Sequence, residues 1–191
     1  MRALVVVDAQ NEFSAAGLRP VPNHAEALLS IRSIVDQARR ARWPIAWIRH
    51  FNKPHESRAF VPGSWGSELS PGLGPQDGFV QEQIFEKNVY GAFSDTGLEA
   101  WLRARGVEAI VLVGFYTHMC LSTSAREALI RGFEVTIDPS ATGARELEHP
   151  ALGRQSAEEV RRSALLQLTN MGVIVEPAGV GASREIVAGE R

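Results

Sequence analysis

The chain has 191 residues, 45% hydrophobic and 22% charged, which suits one ordinary globular core, and we expect a single domain over 1–191. Its 20 basic and 22 acidic residues are spread along the sequence and leave a formal net charge of −2, so no basic field exists to attract nucleic acid or a membrane surface. A single cysteine excludes an internal disulfide and fits a reducing compartment.

The opening MRALVVVDAQNEF has an apolar run too short for a secretory leader, and no later stretch approaches the roughly 18 apolar residues of a membrane helix, so a cytoplasmic location is the expectation. Residues 4–7 read as a first strand and 25–42 as a helix, followed by a second strand at 44–49. Residues 51–79 break the pattern. They hold many of the glycines and prolines together with Trp65, and a loop of that length in a compact chain is usually functional or disordered; we read it as a wall or lid over a site. A strand at 83–86 precedes a helix at 96–105, where Leu98, Trp101 and Leu102 have helical spacing and Gly106 supplies a stop. Strand 109–114, helix 118–131, strand 134–137, helix 156–170 and strand 173–176 complete the series, with Gly132 and Gly172 as further stops. The tail 177–191 is expected to be weakly ordered or used in subunit contact. Short β-branched runs alternating with helical segments imply an α/β fold: a doubly wound, mainly parallel six-stranded sheet in a three-layer α-β-α sandwich.

In such sheets ligands bind outside the carboxyl ends of the strands. Asp8 directly follows the first strand, Lys87 follows the third, and Cys120 lies just past the strand ending at Gly114, in the first turn of a helix. Each has an ordinary explanation: a turn-forming acid, a solvated lysine, a small buried thiol. An acid, a base and a thiol at one edge of one sheet is a combination that packing does not require. The helix N-terminus beside Cys120 should favour thiolate and lower its pKa. A nucleotide-binding reading is poor, because neither G-x-G-x-x-G nor G-x-x-x-x-G-K-[ST] follows the first strand. A non-catalytic small-ligand or scaffold protein is the remaining alternative, and the three reactive groups speak against it.

Three segments, VVVDAQNEF, FEKNVYGAFSDTGLEAWL and VGFYTHMCLSTSAREALIRGFEV, resemble the isochorismatase-like hydrolases, a superfamily that includes nicotinamidases, N-carbamoylsarcosine amidase and ureidoacrylate amidohydrolase. The most specific part is Gly114, Thr117 and Cys120 in G-x-x-T-x-x-C, following Lys87 and Phe93 in K-x-x-x-x-x-F; the run from Pro62 to Leu69 also looks like the family's Gly-Ser loop. The resemblance implies a catalytic triad of Asp8, Lys87 and Cys120. It also implies a cis peptide between Phe115 and Tyr116, and an oxyanion hole from the backbone N–H groups of Tyr116 and Cys120. The activity it implies is hydrolysis of a small carboxamide or ureido C–N bond through a thioester, without a cofactor, in a homodimer or homotetramer. Isochorismatases proper lack a cysteine at the nucleophile position, so Cys120 argues against vinyl-ether cleavage. The Asp-x-His metal pair of nicotinamidases falls on Arg49 and Phe51, which cannot serve; His50 and His55 remain, a weak ligand set, and we expect no metal. His118, two positions from Cys120 on a helix, should face elsewhere. For the substrate pocket the candidates are Phe13, Arg49, His50, Trp65, Tyr90 and Phe93, with Arg49 and His50 as possible holders of a substrate carboxylate.

Overall fold

A computed structural model describes residues 1–53, 55–79 and 81–178. The first strand, β1 (Arg2–Val7), is buried at Ala3 through Val7, as an apolar run flanked on both faces must be. Its alternate side chains enter two cores. Leu4 and Val6 meet Ile31, Ile34 and Val35 of α1 (His24–Arg40) on one face, whereas Val5 and Val7 share a cluster with α2 (Leu98–Arg103), α3 (Ser122–Ile130) and α4 (Ala157–Thr169) on the other. Helices therefore cover both faces of the sheet.

The remaining strands are β2 (Ile45–His50), β3 (Glu82–Lys87), β4 (Ala109–Phe115), β5 (Glu134–Gly143) and, after a small hairpin of β6 (Leu147–His149) and β7 (Gly153–Gln155), β8 (Ile174–Val175). The main sheet has six strands in the order β3-β2-β1-β4-β5-β8, every pair parallel. Strand order reverses between β1 and β4, so the crossovers diverge there and leave a crevice at the carboxyl edge.

Several elements differ from the sequence reading. β5 is ten residues long, not four, because Asp138 accepts hydrogen bonds from the Ser140 N–H (2.8 Å) and Oγ (2.6 Å), bulging the chain before pairing resumes at Gly114↔Thr142. Helix 96–105 shrinks to α2, since Gly97 takes φ 75° and the Thr96 hydroxyl accepts from the Leu98 N–H at 3.2 Å. Helix 118–131 is divided into a π turn (Thr117–Leu121) and α3. The β6–β7 hairpin went unread because its largely exposed residues carry no apolar period. In the loop over 51–79 the described residues make a 3₁₀ turn (Trp65–Ser67) and a bridge from Leu69 to Gln10. Apart from Pro177 and Ala178, the tail assigned to 177–191 lies outside the described residues.

Candidate active site

Asp8 is the first residue past β1 and sits at φ 51°, a left-handed conformation that aspartate tolerates better than most residues. Beside it, Gly114 ends the tight part of β4 at φ 116°; a Cβ there would collide with the Val7 carbonyl. Lys87 closes β3, two strands away, and its long side chain crosses the end of β2 to reach the acid. Its Nζ donates to Asp8 Oδ2 at 2.7 Å and to the Val89 carbonyl at 3.1 Å, and stands 3.3 Å from His50 Nδ1. Both charged side chains are fully buried. Asp8 Oδ1 accepts no hydrogen bond among the described residues, which leaves one oxygen free toward Cys120. Cys120 lies in the π turn, 7% exposed, and its thiol feels both Asp8 and Lys87. The Phe115–Tyr116 peptide leading into that turn is cis.

Three sets of hydrogen bonds fix these elements relative to one another. The loop after Lys87 is tied to α3: the Ala92 N–H donates to Ser124 Oγ (3.0 Å), which donates to the Cys120 carbonyl (2.6 Å), and Glu127 accepts from the Phe93 N–H (2.9 Å) and Ser94 Oγ (2.5 Å). A Cβ at Gly91 would displace the Glu127 carboxylate from the bonds that hold this loop. The Gln10 side chain continues the β1–β2 ladder past its last backbone pair, donating to the His50 and Ser67 carbonyls and accepting from the His50 N–H. Glu12, also buried, accepts from the Leu18 N–H (2.5 Å) and the Phe60 N–H (3.1 Å), and its carbonyl takes the Arg19 N–H.

A cavity of about 620 Å³ opens above the thiol. Of the residues expected there, Asp8, Cys120, Phe13, His50, Tyr90 and Tyr116 line it, while Lys87 lies behind Asp8. Three of the expected residues do not line this cavity. Arg49, next to His50 on β2, instead lines a smaller cleft together with His50 and Glu86, and pairs with Glu86 at 3.8 Å. Trp65 is 51% exposed on the 3₁₀ turn, held there through its carbonyl by Asn11 Nδ2. Phe93 is core, its ring 5.8 Å from that of Phe133. The residues missed are Arg19, Asn52, Glu56, Ser57, Phe60, Asn88, Val89, Met119 and Arg145. Asn88 next to Lys87, and Arg145 two positions past β5, could have been found by inspecting every strand end; Arg19 and Asn52 carry no comparable signal.

Burial, and then the Asp8 carboxylate, push the Cys120 thiol above its ordinary pKa, and Lys87 offsets only part of this. That direction is opposite to the lowering expected from the helix terminus. Burial works against the charge on Lys87, yet Asp8 and Cys120 overcome it and hold the ammonium above its usual range. His50 is lowered by burial and by Lys87. His118, lowered by burial and by Arg145 to about 4, has both ring nitrogens unpartnered. Tyr116 is pushed up to about 12 by burial, against the pull of Arg145 and Arg19.

Among the described residues no group of three or more His, Cys, Asp or Glu side chains could hold a metal ion. His50 Nε2 is 2.9 Å from Asn52 Oδ1, its Nδ1 faces the lysine, and His55 is exposed, so the residues at this edge do not fit a metal set.

Residues 2–172 match the family model described as "Isochorismatase domain". The chain is 33% identical to the secreted isochorismatase effector Isc1 of Verticillium dahliae, covering 75% of this chain and 73% of that one. To nicotinamidase 3 of Arabidopsis thaliana it is 32% identical over 78% of each. Among solved structures, N-carbamoylsarcosine amidase from Thermoplasma acidophilum superposes with a TM-score of 0.76 at 26% identity, covering 92% of this chain and 95% of that one.

Proposed function

Because this chain belongs to the isochorismatase family of hydrolases, we propose that it hydrolyses a small carboxamide or ureido C–N bond, with Cys120 as nucleophile, Asp8 as acid and base, and Lys87 as electrostatic partner. The observation that carries the reading is the buried Lys87–Asp8 pair, 2.7 Å apart, with one carboxylate oxygen unengaged beside a thiol on the floor of a cavity.

A raised thiol pKa makes a general base necessary, and Asp8 Oδ1 is the base within reach. Asp8 takes the Cys120 proton as sulfur attacks the carbonyl carbon. The oxyanion of the tetrahedral intermediate is met by the backbone N–H groups of Tyr116 and Cys120, contacts worth about 3–4 kcal/mol each in other enzymes. Asp8 returns the proton to the leaving nitrogen, the C–N bond breaks, and a thioester remains. Water, deprotonated by Asp8, attacks the thioester, and the thiol departs reprotonated. Lys87 keeps Asp8 oriented and ionised between these transfers. No step runs through a metal. The same reading carries a single domain acting on a small molecule in the cytoplasm, as a homodimer or homotetramer. Among the described residues no helix is long and apolar enough to cross a membrane.

The test is ammonia release from a panel of small amides and ureides by the wild-type protein and by Cys120→Ala. Turnover should fall by about 10⁴-fold or more, as when other covalent nucleophiles are removed, with the unfolding midpoint little changed. Substantial amidase activity in Cys120→Ala would discard the mechanism.

A further inference from the structure

The cavity has a charge asymmetry that the hydrolytic chemistry does not use. Four lining side chains carry formal charge at neutral pH: Asp8, Glu56, Arg19 and Arg145. Asp8 is neutralised by Lys87. Glu56 is committed to its own loop, accepting from the Lys53 N–H at 2.7 Å and from Asn88 Nδ2 at 3.0 Å. Arg19 and Arg145 have no hydrogen-bond or ion-pair partner for their guanidiniums among the described residues, in a protein whose net charge is −2 and where seven other arginines form ion pairs.

The Arg19 backbone, unlike its side chain, is held. The Arg19 N–H donates to the Glu12 carbonyl at 3.1 Å and its carbonyl accepts from the Tyr116 hydroxyl at 2.8 Å, which fastens this loop residue to the buried Glu12 and to the ring beside the thiol. Arg145 follows the buried Ala144 just past β5, on the edge where Thr142 Oγ1 donates to the Gly114 carbonyl at 2.7 Å. Both guanidiniums belong to residues that line the same cavity as Tyr116, and both act electrostatically on its hydroxyl. The lining also includes Asn52, Ser57 and Asn88, with the Glu56 carboxylate already engaged by Asn88 and the Lys53 N–H.

Resting on the hydrolase reading, we propose that Arg19 and Arg145 form an anion subsite, and that the substrate is an amide or ureide bearing a carboxylate remote from the scissile bond. A planar guanidinium matches a carboxylate with two parallel N–H donors, and two of them at one pole orient such a substrate with its carbonyl over Cys120. Arg49, the cation the sequence suggested for this role, faces a different cleft and already has Glu86.

The experiment separates binding from turnover. Succinamate and butyramide, one carrying a carboxylate where the other has a methyl group, are titrated calorimetrically into Cys120→Ala and into Cys120→Ala with Arg19→Gln and Arg145→Gln added. Succinamate should bind the first protein at least about tenfold more tightly, a gap of about 1.4 kcal/mol, and the two ligands should bind the second about equally. Arg49→Gln in the same background should keep the preference. Equal binding of both ligands to Cys120→Ala, or a preference that survives loss of both arginines, overturns the subsite. Because these titrations need no catalysis, failure of the cysteine mechanism would appear separately, as a wild-type protein that binds succinamate selectively and releases no ammonia from it.

Discussion

The floor and the wall of the cavity carry charge under opposite conditions. On the floor, Asp8 and Lys87 are fully buried, 2.7 Å apart, each fixed at the carboxyl end of a parallel strand. On the wall, Arg19 and Arg145 stand exposed on loops with their guanidiniums unpaired among the described residues. A buried charge must be matched by the fold itself, since nothing else can solvate it, whereas an exposed charge can wait for a ligand. In the proposed reading the floor supplies a constant reactivity and the wall chooses what reaches it.

That contrast can be broken most directly through stability. Lys87→Met leaves Asp8 charged and alone in the interior and should cost about 3–5 kcal/mol in urea unfolding, while Arg145→Gln should stay within about 0.5 kcal/mol. Similar costs for the two would erase the distinction. A smaller effect concerns the thiol. Because Asp8 raises the Cys120 pKa and Lys87 opposes it, Asp8→Asn should move the pH midpoint of iodoacetamide alkylation downward, by about one unit or more. An upward move would mean that the lysine, not the acid, dominates the sulfur.

The smallest expected effect lies beside the floor. Between about pH 4 and 6.5 a folded His118 binds fewer protons than an unfolded one, so the stability it contributes is full above that window and is lost as pH falls through it. Since the ring is only about half-buried, solvent screening trims the full shift to about 1–2 kcal/mol. His24 and His50, both lowered, add in the same direction. His118→Phe should flatten part of the acid limb in unfolding scans from pH 7 to pH 4, at little cost at pH 7, because neither ring nitrogen has a partner to lose. An unchanged limb would assign the acid sensitivity to other groups.

The same contrast explains what could be read from the chain. Residues 4–7, 44–49 and 109–114 announce themselves as strands because burial on both faces demands apolar runs, and Asp8 and Cys120 sit at fixed short distances from such runs, while Lys87 ends the largely exposed edge strand β3. Floor residues were therefore legible. The extension of β5 was not, because Asp138 and Ser140 satisfy the backbone with side chains, a local pattern that also reads as a turn. Arg49 and His50 were assigned together to the pocket, but only His50 lines it, and Arg49 pairs with Glu86. Trp65 and Phe93 drew attention by their size, which predicts burial or contact but not direction. Arg19 and Arg145 were overlooked because a loop cation looks the same in sequence whether it faces solvent or a cavity.

Glu12 links the two regions, and its surroundings constrain how this protein could diverge. Both of its carboxylate oxygens and its carbonyl are occupied by N–H groups from two separate loops, and a Cβ at Gly17 would collide with its backbone carbonyl while one at Gly66 would displace its carboxylate. Insertions in either loop are tolerable only where they leave those glycines and the Leu18 and Phe60 amides in step with that one acid. New substrate preferences should therefore arise by exchanging side chains at the rim, such as Arg19 and Arg145, more readily than by lengthening the segments that carry them.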